Sequence, residues 1–80
     1  MKKKKKEFLA LLCKINDPQE MDLFLQDILT ISEYEDVVIR LQITKMLKAG
    51  ISQRKIAKEL GVAIATVTRG SNMLKESKNV

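Results

Sequence analysis

The sequence predicts an all-helical fold, a small bundle that contains a helix-turn-helix. Apolar residues recur at helical rather than strand spacing, and Gly61 separates two short amphipathic segments. In addition, 45% of the 80 residues are apolar, although a chain of this length buries only about 60% of the surface that its unfolded form exposes. We therefore expect a single domain, residues 1–80. Either a partner covers part of its apolar surface or the chain is only marginally stable.

The first predicted helix covers about residues 5–15 and ends near Asn16. Its apolar face consists of Phe8, Leu11, Leu12 and Ile15. Cys13 is expected to be a small buried core residue of this helix, and a single unpaired cysteine indicates a reducing compartment. The preceding run Lys2–Lys6 is expected to be a disordered, solvated tail. The alternatives are non-specific association with DNA and a solubilising addition.

Several sequence features that would indicate a membrane protein, a secreted protein or an enzyme are missing. No apolar run approaches the roughly 18 residues needed to span a membrane, and no small-residue cleavage site follows Lys2–Lys6. We therefore expect a cytoplasmic protein with no membrane partner. The sequence has no His, no metal-ligand cluster and no phosphate-binding Gly-rich loop. It therefore predicts a protein that is not an enzyme, with no catalytic residue, metal or cofactor.

A second helix is predicted from Asp17 to about Leu29. Asp17 is suited to cap it, Pro18 to occupy its first position, and Glu20 to complete a capping box. Its apolar residues are Met21, Phe24, Leu25 and Ile28. A second capping box at Ser32–Glu35 predicts the start of a third helix.

The third predicted helix runs to about Lys48, and Gly50 is its expected left-handed cap. It is apolar on more than one side. The residues concerned are Val37, Val38, Ile39, Leu41, Ile43, Met46 and Leu47. A helix that is apolar nearly all round needs neighbours on several sides, and 80 residues supply few. We therefore expect residues 7–48 to form the interface of a homodimer.

Residues 52–75 predict the helix-turn-helix. Ser52 is the expected cap of its first helix, whose inner residues are Ile56, Ala57 and Leu60. Gly61 permits the positive φ of a tight turn, and a second helix follows from about Ala63, with Val67 facing Ala57. Such a unit places its second helix in the major groove of DNA. The alternative is a plain helical hairpin within a bundle.

The charge distribution agrees with DNA binding. Residues 50–80 hold six basic against two acidic side chains, whereas residues 16–49 hold seven acidic against three basic ones. Ile64 and Ala65 are expected to contact thymine methyl groups. Thr66, Thr68 and Ser71 are suited to donate hydrogen bonds to phosphates or bases. Gln53, Arg54, Lys55 and Lys58 line the first helix, which crosses the backbone; the alternative is a solvated helix face.

Gly70 interrupts the second helix of this unit, at a cost of roughly 1 kcal/mol relative to alanine. One interpretation is a gap that admits a flat small molecule, with Arg69 stacking over it and binding an acidic group. The other is a close helix–helix contact, which we favour from the sequence alone.

Two segments resemble the tryptophan operon repressor family. They are Ala-Thr-Val-Thr-Arg-Gly-Ser-Asn at residues 65–72 and Ser-Gln-Arg at residues 52–54. Upstream, Leu-Thr-Ile-Ser-Glu at residues 29–33 is similar to the family's Leu-Thr-Pro-Asp-Glu. The resemblance covers about residues 20–76 and is tight over 52–75.

The resemblance implies an intertwined homodimer that represses tryptophan biosynthesis or uptake genes by binding an operator in double-stranded DNA. It implies L-tryptophan as corepressor, with the indole between Arg40 and Arg69 and beside Gly70. Thr30 and backbone carbonyls near Asp27 and Leu29 would come from the other subunit. By position, the family's DNA contacts match Gln53, Arg54, Ile64, Ala65, Thr66, Thr68 and Lys75.

Some positions depart from the family pattern. Met73 stands where the best-known members have a serine that helps to bind the amino group of the ligand. Arg40 also has an alternative role, a pair with Asp36 one helical turn earlier. A repressor of the same fold with another effector or none therefore remains open. A DNA-targeting module of a transposase and a pure protein-interaction bundle are further alternatives, the latter leaving the basic third of the chain unexplained.

Overall fold

The computed structural model describes residues 1–76, and these form five α-helices. The helices are α1 (Lys2–Lys14), α2 (Pro18–Ile28), α3 (Ile31–Lys48), α4 (Gln53–Leu60) and α5 (Ile64–Glu76). The predicted all-helical class is confirmed. The chain divides into two compact units, one covering Met1–Tyr34 and the other beginning at Glu35. The single-domain organisation stays a prediction.

Helix α1 corrects the expectation of a disordered tail, because it begins at Lys2 and includes the whole run Lys2–Lys6. Lysine is among the better helix formers. Successive side chains of a helix are about 100° apart, so the five exposed ammonium groups spread around the axis and remain in water. Local propensity therefore outweighs the repulsion between like charges in this segment.

The first unit has no buried residue among positions 1–34. Phe8 stacks on Phe24 with ring centroids 6.5 Å apart, and the Tyr34 hydroxyl donates to Asp22 Oδ1 at 2.8 Å. Phe8 is nevertheless 41% exposed. Cys13 is exposed, so its predicted burial is wrong for this chain. The physical reason is that the first unit offers no core in which to bury it.

Helix α2 begins as predicted, with Pro18 in the first turn and Asp17 Oδ2 accepting from the Glu20 amide at 3.0 Å. The start of α3 differs from the prediction. The capping box is formed by Thr30 and Glu33, whose side chains each accept from the other residue's amide, at 3.1 and 2.8 Å. The predicted box at Ser32–Glu35 is therefore two residues too late. Both pairs satisfy the same sequence pattern, and the chain uses the earlier one.

The second unit has a core of Ile43 from α3, Ile56 from α4 and Val67 from α5, each at most 1% exposed. Partly buried side chains surround it: Ile39, Met46, Leu47, Ile51, Ala57, Leu60 and Val62. Val67 and Ala57, which are predicted to face each other, therefore belong to the same core region. These contacts hold α3, α4 and α5 together within the unit.

The turns of the second unit follow from local chemistry. Ser52 Oγ accepts from the Lys55 amide at 3.2 Å and caps α4. Gly50 and Gly61 have φ of 83° and 67°, the left-handed conformation predicted for both. After Gly61, the Val62 amide donates to the Ala57 carbonyl at 3.1 Å, which closes the turn into α5.

Helix α3 is apolar on two sides, as expected. Ile39, Ile43, Met46 and Leu47 belong to the core cluster. Val37, Val38 and Leu41 remain 47%, 49% and 57% exposed. The burial of this second face by another subunit stays a prediction.

Candidate functional site

A cleft of about 220 Å³ lies among helices α3 and α5 and the turn before α5. Its lining residues are Asp36, Ile39, Arg40, Ile43, Val62, Thr66, Arg69, Gly70 and Met73. Arg40 and Arg69, which are far apart in sequence, therefore border one space. Gly70 and Met73 border it as well, so four of the six predicted ligand residues come together.

Gly70 is where α5 approaches α3 most closely. A Cβ atom added at this glycine would lie 2.9 Å from Ile43 Cγ2, a separation that real Cβ atoms essentially never show. The close helix–helix contact favoured from the sequence is therefore present. Gly70 also lines the cleft, so the same close approach that excludes a side chain helps to hold Arg69 near Arg40.

The cleft combines charges of both signs with an apolar wall. The guanidinium groups of Arg40 and Arg69 and the carboxylate of Asp36 are set beside Ile39, Val62 and other apolar side chains. Its volume is below the roughly 300–1,000 Å³ of typical small-molecule pockets. The arrangement suits a small ligand that carries charge.

The remaining two predicted ligand residues, Leu29 and Thr30, belong to the first unit. Both amide and hydroxyl of Thr30 are engaged in capping α3. The resemblance assigns these residues to the ligand site of a neighbouring subunit, and this assignment stays a prediction.

Helices α4 and α5 are connected by a polar contact as well as by the core. The Thr68 hydroxyl lies 2.8 Å from Gln53 Oε1 and 3.1 Å from the Ile64 carbonyl, and it donates to one or the other. When Gln53 Oε1 accepts from Thr68, the two Nε2 protons of the amide remain available as donors. Two predicted DNA-contact residues are thereby placed next to each other.

The exposed side of α5 begins with apolar residues. Ile64 is 51% exposed, and Ala65, Thr68 and Lys75 are also exposed. Thr66 is half-buried and lines the cleft. Ser71 is buried at 7% exposure, so its side chain faces the interior and is the predicted contact that this conformation supports least.

A basic groove of about 610 Å³ runs along α4. It is lined by Ser52, Arg54, Lys55, Lys58 and Glu59. Three cationic side chains against one carboxylate make this groove suited to an anion such as a backbone phosphate. The sequence analysis identified its basic residues but did not show that they border one groove.

Asp36 is a charged lining residue that the sequence indicates only as a partner of Arg40 and not as part of the site. Its spacing of four residues from Arg40 is the signal that places both on one side of α3.

Within residues 1–76, no three His, Cys, Asp or Glu side chains are arranged to hold a metal ion. No helix in the same range is long and apolar enough to cross a bilayer.

These features define a small all-helical protein that has a charged cleft among α3 and α5 and a basic groove along α4. The family model described as Trp repressor protein matches residues 3–80. The chain belongs to the Trp repressor protein family, as the sequence motifs indicated. This family is regulatory and non-enzymatic, so the predictions of transcription regulation, and of a protein that is not an enzyme, are confirmed.

Curated relatives agree with this assignment. The Trp operon repressor homolog of Xylella fastidiosa (strain M23) is 40% identical over 70 residues, which cover 86% of this chain and 76% of that protein. The homolog of Chlamydia caviae is 43% identical over 70 residues, covering 86% and 69%. The homolog of Vibrio campbellii is 42% identical over 64 residues, covering 79% and 64%.

Proposed function

We propose that the chain is a sequence-specific DNA-binding repressor that acts as a homodimer and uses L-tryptophan as corepressor. It controls genes of tryptophan biosynthesis or uptake through an operator in double-stranded DNA. The observation that carries the proposal is the cleft itself. Arg40 and Arg69 border it beside Gly70, directly beneath the helix whose exposed first turn carries Ile64 and Ala65.

The chemistry of the cleft supports an aromatic amino acid as ligand. A guanidinium group stacks on an aromatic face and also forms paired hydrogen bonds with a carboxylate. Two such groups on neighbouring helices provide both interactions for one ligand. The indole ring of tryptophan therefore lies between Arg40 and Arg69, and the α-carboxylate of tryptophan pairs with Arg69.

The position of Thr66 supports a coupling between ligand and DNA. Thr66 lines the cleft from the first turn of α5, while its neighbours Ile64 and Ala65 point to solvent. A ligand in the cleft therefore contacts the same turn that faces DNA. It raises DNA affinity to the extent that it prefers the binding-competent orientation of α5.

The surface of α4 and α5 supports a helix-turn-helix. The apolar start of α5 offers contacts to thymine methyl groups in the major groove. Arg54, Lys55 and Lys58 bind the backbone phosphates that fix its register. The exposed apolar face of α3 supports the homodimer, because an area of this kind is covered in a stable assembly.

The test is titration calorimetry of L-tryptophan into the purified protein, with the mass in solution measured alongside. Saturable binding of one ligand per chain in a dimer is the expected result. Duplexes selected from a random-sequence pool are then compared for binding with and without tryptophan, and affinity should rise when tryptophan is present.

Two arginine variants separate the two surfaces. Arg69→Ala should abolish tryptophan binding, and it should leave tryptophan-free binding to random-sequence DNA in place. Arg54→Ala, the matched control on α4, should keep tryptophan binding and weaken DNA binding. Unchanged tryptophan affinity in Arg69→Ala would exclude the arginine sandwich.

The second candidate is a repressor of the same family fold with a different effector or none. Met73 favours it, because this cleft residue is 55% exposed and offers only a weakly accepting thioether. A dimer that selects a specific duplex without tryptophan, and gives no heat with it, would establish this alternative.

A further inference from the structure

The charges around the cleft are matched to a ligand that carries both signs. Of the lining residues in the described part of the chain, Asp36 alone has a carboxylate, and it shares the cleft with Arg40 and Arg69. The other lining side chains that approach from α3 are Ile39 and Ile43, which are apolar. Asp36 is therefore the one anionic acceptor that these residues offer to a bound cation.

An α-amino acid at neutral pH presents a carboxylate and an ammonium group on neighbouring atoms. The guanidinium groups account for the carboxylate, but the ammonium also needs acceptors once the ligand leaves water. Met73 supplies only a thioether, which is a weak acceptor. We propose that Asp36 binds the ammonium group of the corepressor and so makes the cleft selective for amino acids over the corresponding deaminated acids. This inference rests on the proposed function.

Asp36 also lies four residues before Arg40 on α3, the spacing at which helix side chains of opposite charge meet. Both residues are exposed, and an exposed pair at this spacing contributes little to stability. The Asp36 carboxylate is therefore available to a ligand that brings its own anion to the arginines.

The three charged residues therefore recognise different parts of the ligand. Arg40 and Arg69 recognise the flat ring and the acid, and neither discriminates between tryptophan and indole-3-propionate. These two compounds differ by the ammonium group alone. Asp36 is the residue that senses this difference, so it acts as a specificity determinant.

The experiment measures the affinity of the full-length protein for L-tryptophan and for indole-3-propionate by titration calorimetry. Asp36→Asn keeps the shape of the side chain and removes its charge. It should lower tryptophan affinity about ten-fold or more, the size expected for losing a hydrogen bond between charged groups. The affinity for indole-3-propionate should change by less than about two-fold or should increase, because Asn does not repel the ligand's carboxylate.

Glu35→Gln is the matched control. Glu35 is an exposed carboxylate on the same helix that does not line the cleft, so both affinities should stay at the wild-type values. Asp36→Glu retains the charge and should recover part of the tryptophan affinity. Circular dichroism of each variant verifies that the helices remain folded.

The inference is overturned if Asp36→Asn leaves tryptophan affinity unchanged, or if it changes the affinity for both ligands equally. An equal gain would mean that Asp36 only competes with ligands for Arg40. If the wild-type protein binds neither compound, the corepressor proposal is refuted, and the inference about Asp36, which rests on it, is refuted as well. That result differs from selective loss or retention in the variant.

Discussion

The two units of the chain differ in how completely they bury their apolar side chains. The second unit covers Ile43, Ile56 and Val67 almost completely with its own side chains. The first unit covers none of its residues to that extent. Its large apolar side chains that remain at least 40% exposed are Met1, Phe8, Leu9, Leu11, Leu23, Ile28 and Ile31. The comparison indicates that the second unit can hold its own fold, whereas the first leaves a large apolar surface uncovered by its own side chains.

The strongest way to break this comparison is a pair of truncations, one in each unit. Ile56→Ala removes a completely buried side chain and should lower the free energy of unfolding by about 2–5 kcal/mol. Leu23→Ala removes a side chain that is 57% exposed. Without a partner it should change stability by only about 0.5 kcal/mol or less. Urea unfolding followed by circular dichroism measures both.

Protein concentration sharpens the result. If a second copy covers the first unit, the loss in Leu23→Ala should depend on concentration, because association contributes to the stability of a dimer. Measurements at concentrations about ten-fold apart provide the control. A concentration-independent loss as large as that of Ile56→Ala would show that the first unit has a core of its own.

The next test concerns the contact between α3 and α5. Gly70→Ala places a Cβ 2.9 Å from Ile43 Cγ2, and overpacking of this kind costs about 1–3 kcal/mol. The gain in helix propensity offsets about 1 kcal/mol. We therefore expect a net loss of up to about 2 kcal/mol in thermal or urea unfolding, together with weaker tryptophan binding as the helices separate.

A double variant identifies the cause of that loss. Ile43→Ala removes the methyl group that the new Cβ would meet. The combined loss in Ile43→Ala/Gly70→Ala should therefore be smaller than the sum of the single losses. Strict additivity would mean that the added methyl group does not collide with Ile43, and that Gly70 is required for another reason.

The features that residue spacing alone predicts most directly are those that depend on neighbouring residues. Asp17 and Ser52 were identified as caps, and Gly61 as a turn residue, because each acts on amides within four positions. The contact of Gly70 with Ile43 joins residues far apart in the chain, so spacing could only leave it as one of two interpretations. The grouping of Asp36 with Arg69 also depends on helix packing and was missed.

The incorrect predictions have local causes as well. The lysine run was expected to be disordered because its charges were counted without regard to their spread around a helix. Ser32 was chosen as a cap because it satisfies the same pattern as Thr30. In each case two local preferences competed, and the sequence pattern did not rank them.

A smaller effect tests which residue caps α3. Thr30→Ala removes the oxygen that accepts from the Glu33 amide and should cost about 1 kcal/mol. Ser32→Ala is the matched control and should change stability by about 0.5 kcal/mol or less. Urea unfolding of both variants measures the difference. A larger loss of stability in Ser32→Ala than in Thr30→Ala would mean that Ser32, the predicted cap, is the residue that caps α3.

The same cap predicts a dependence on pH. Hydrogen bonds from the backbone amide and the side chain of Thr30 hold the pKa of Glu33 below its ordinary value of 4.5. A carboxyl group whose pKa is depressed by folding contributes stability above its unfolded pKa, and loses it as the pH falls through the folded value. The stability difference between the wild type and Glu33→Gln should therefore be largest near neutrality. It should shrink as the pH falls below about 4.5, and a constant difference would contradict the assignment.

The smallest expected effect lies in the first unit. Two hydrogen bonds lower the pKa of Asp22, the larger effect coming from Gln26 and the smaller from Tyr34. The same bond to Asp22 raises the pKa of Tyr34 above its ordinary value of 10.0. Tyr34→Phe removes one of these bonds and leaves the ring and the Gln26 contact in place. The pKa of Asp22, followed by nuclear magnetic resonance, should rise towards its ordinary value. It should stay below that value, because Gln26 still donates. No change in the pKa of Asp22 would mean that the Tyr34 hydroxyl does not donate to this carboxylate in solution.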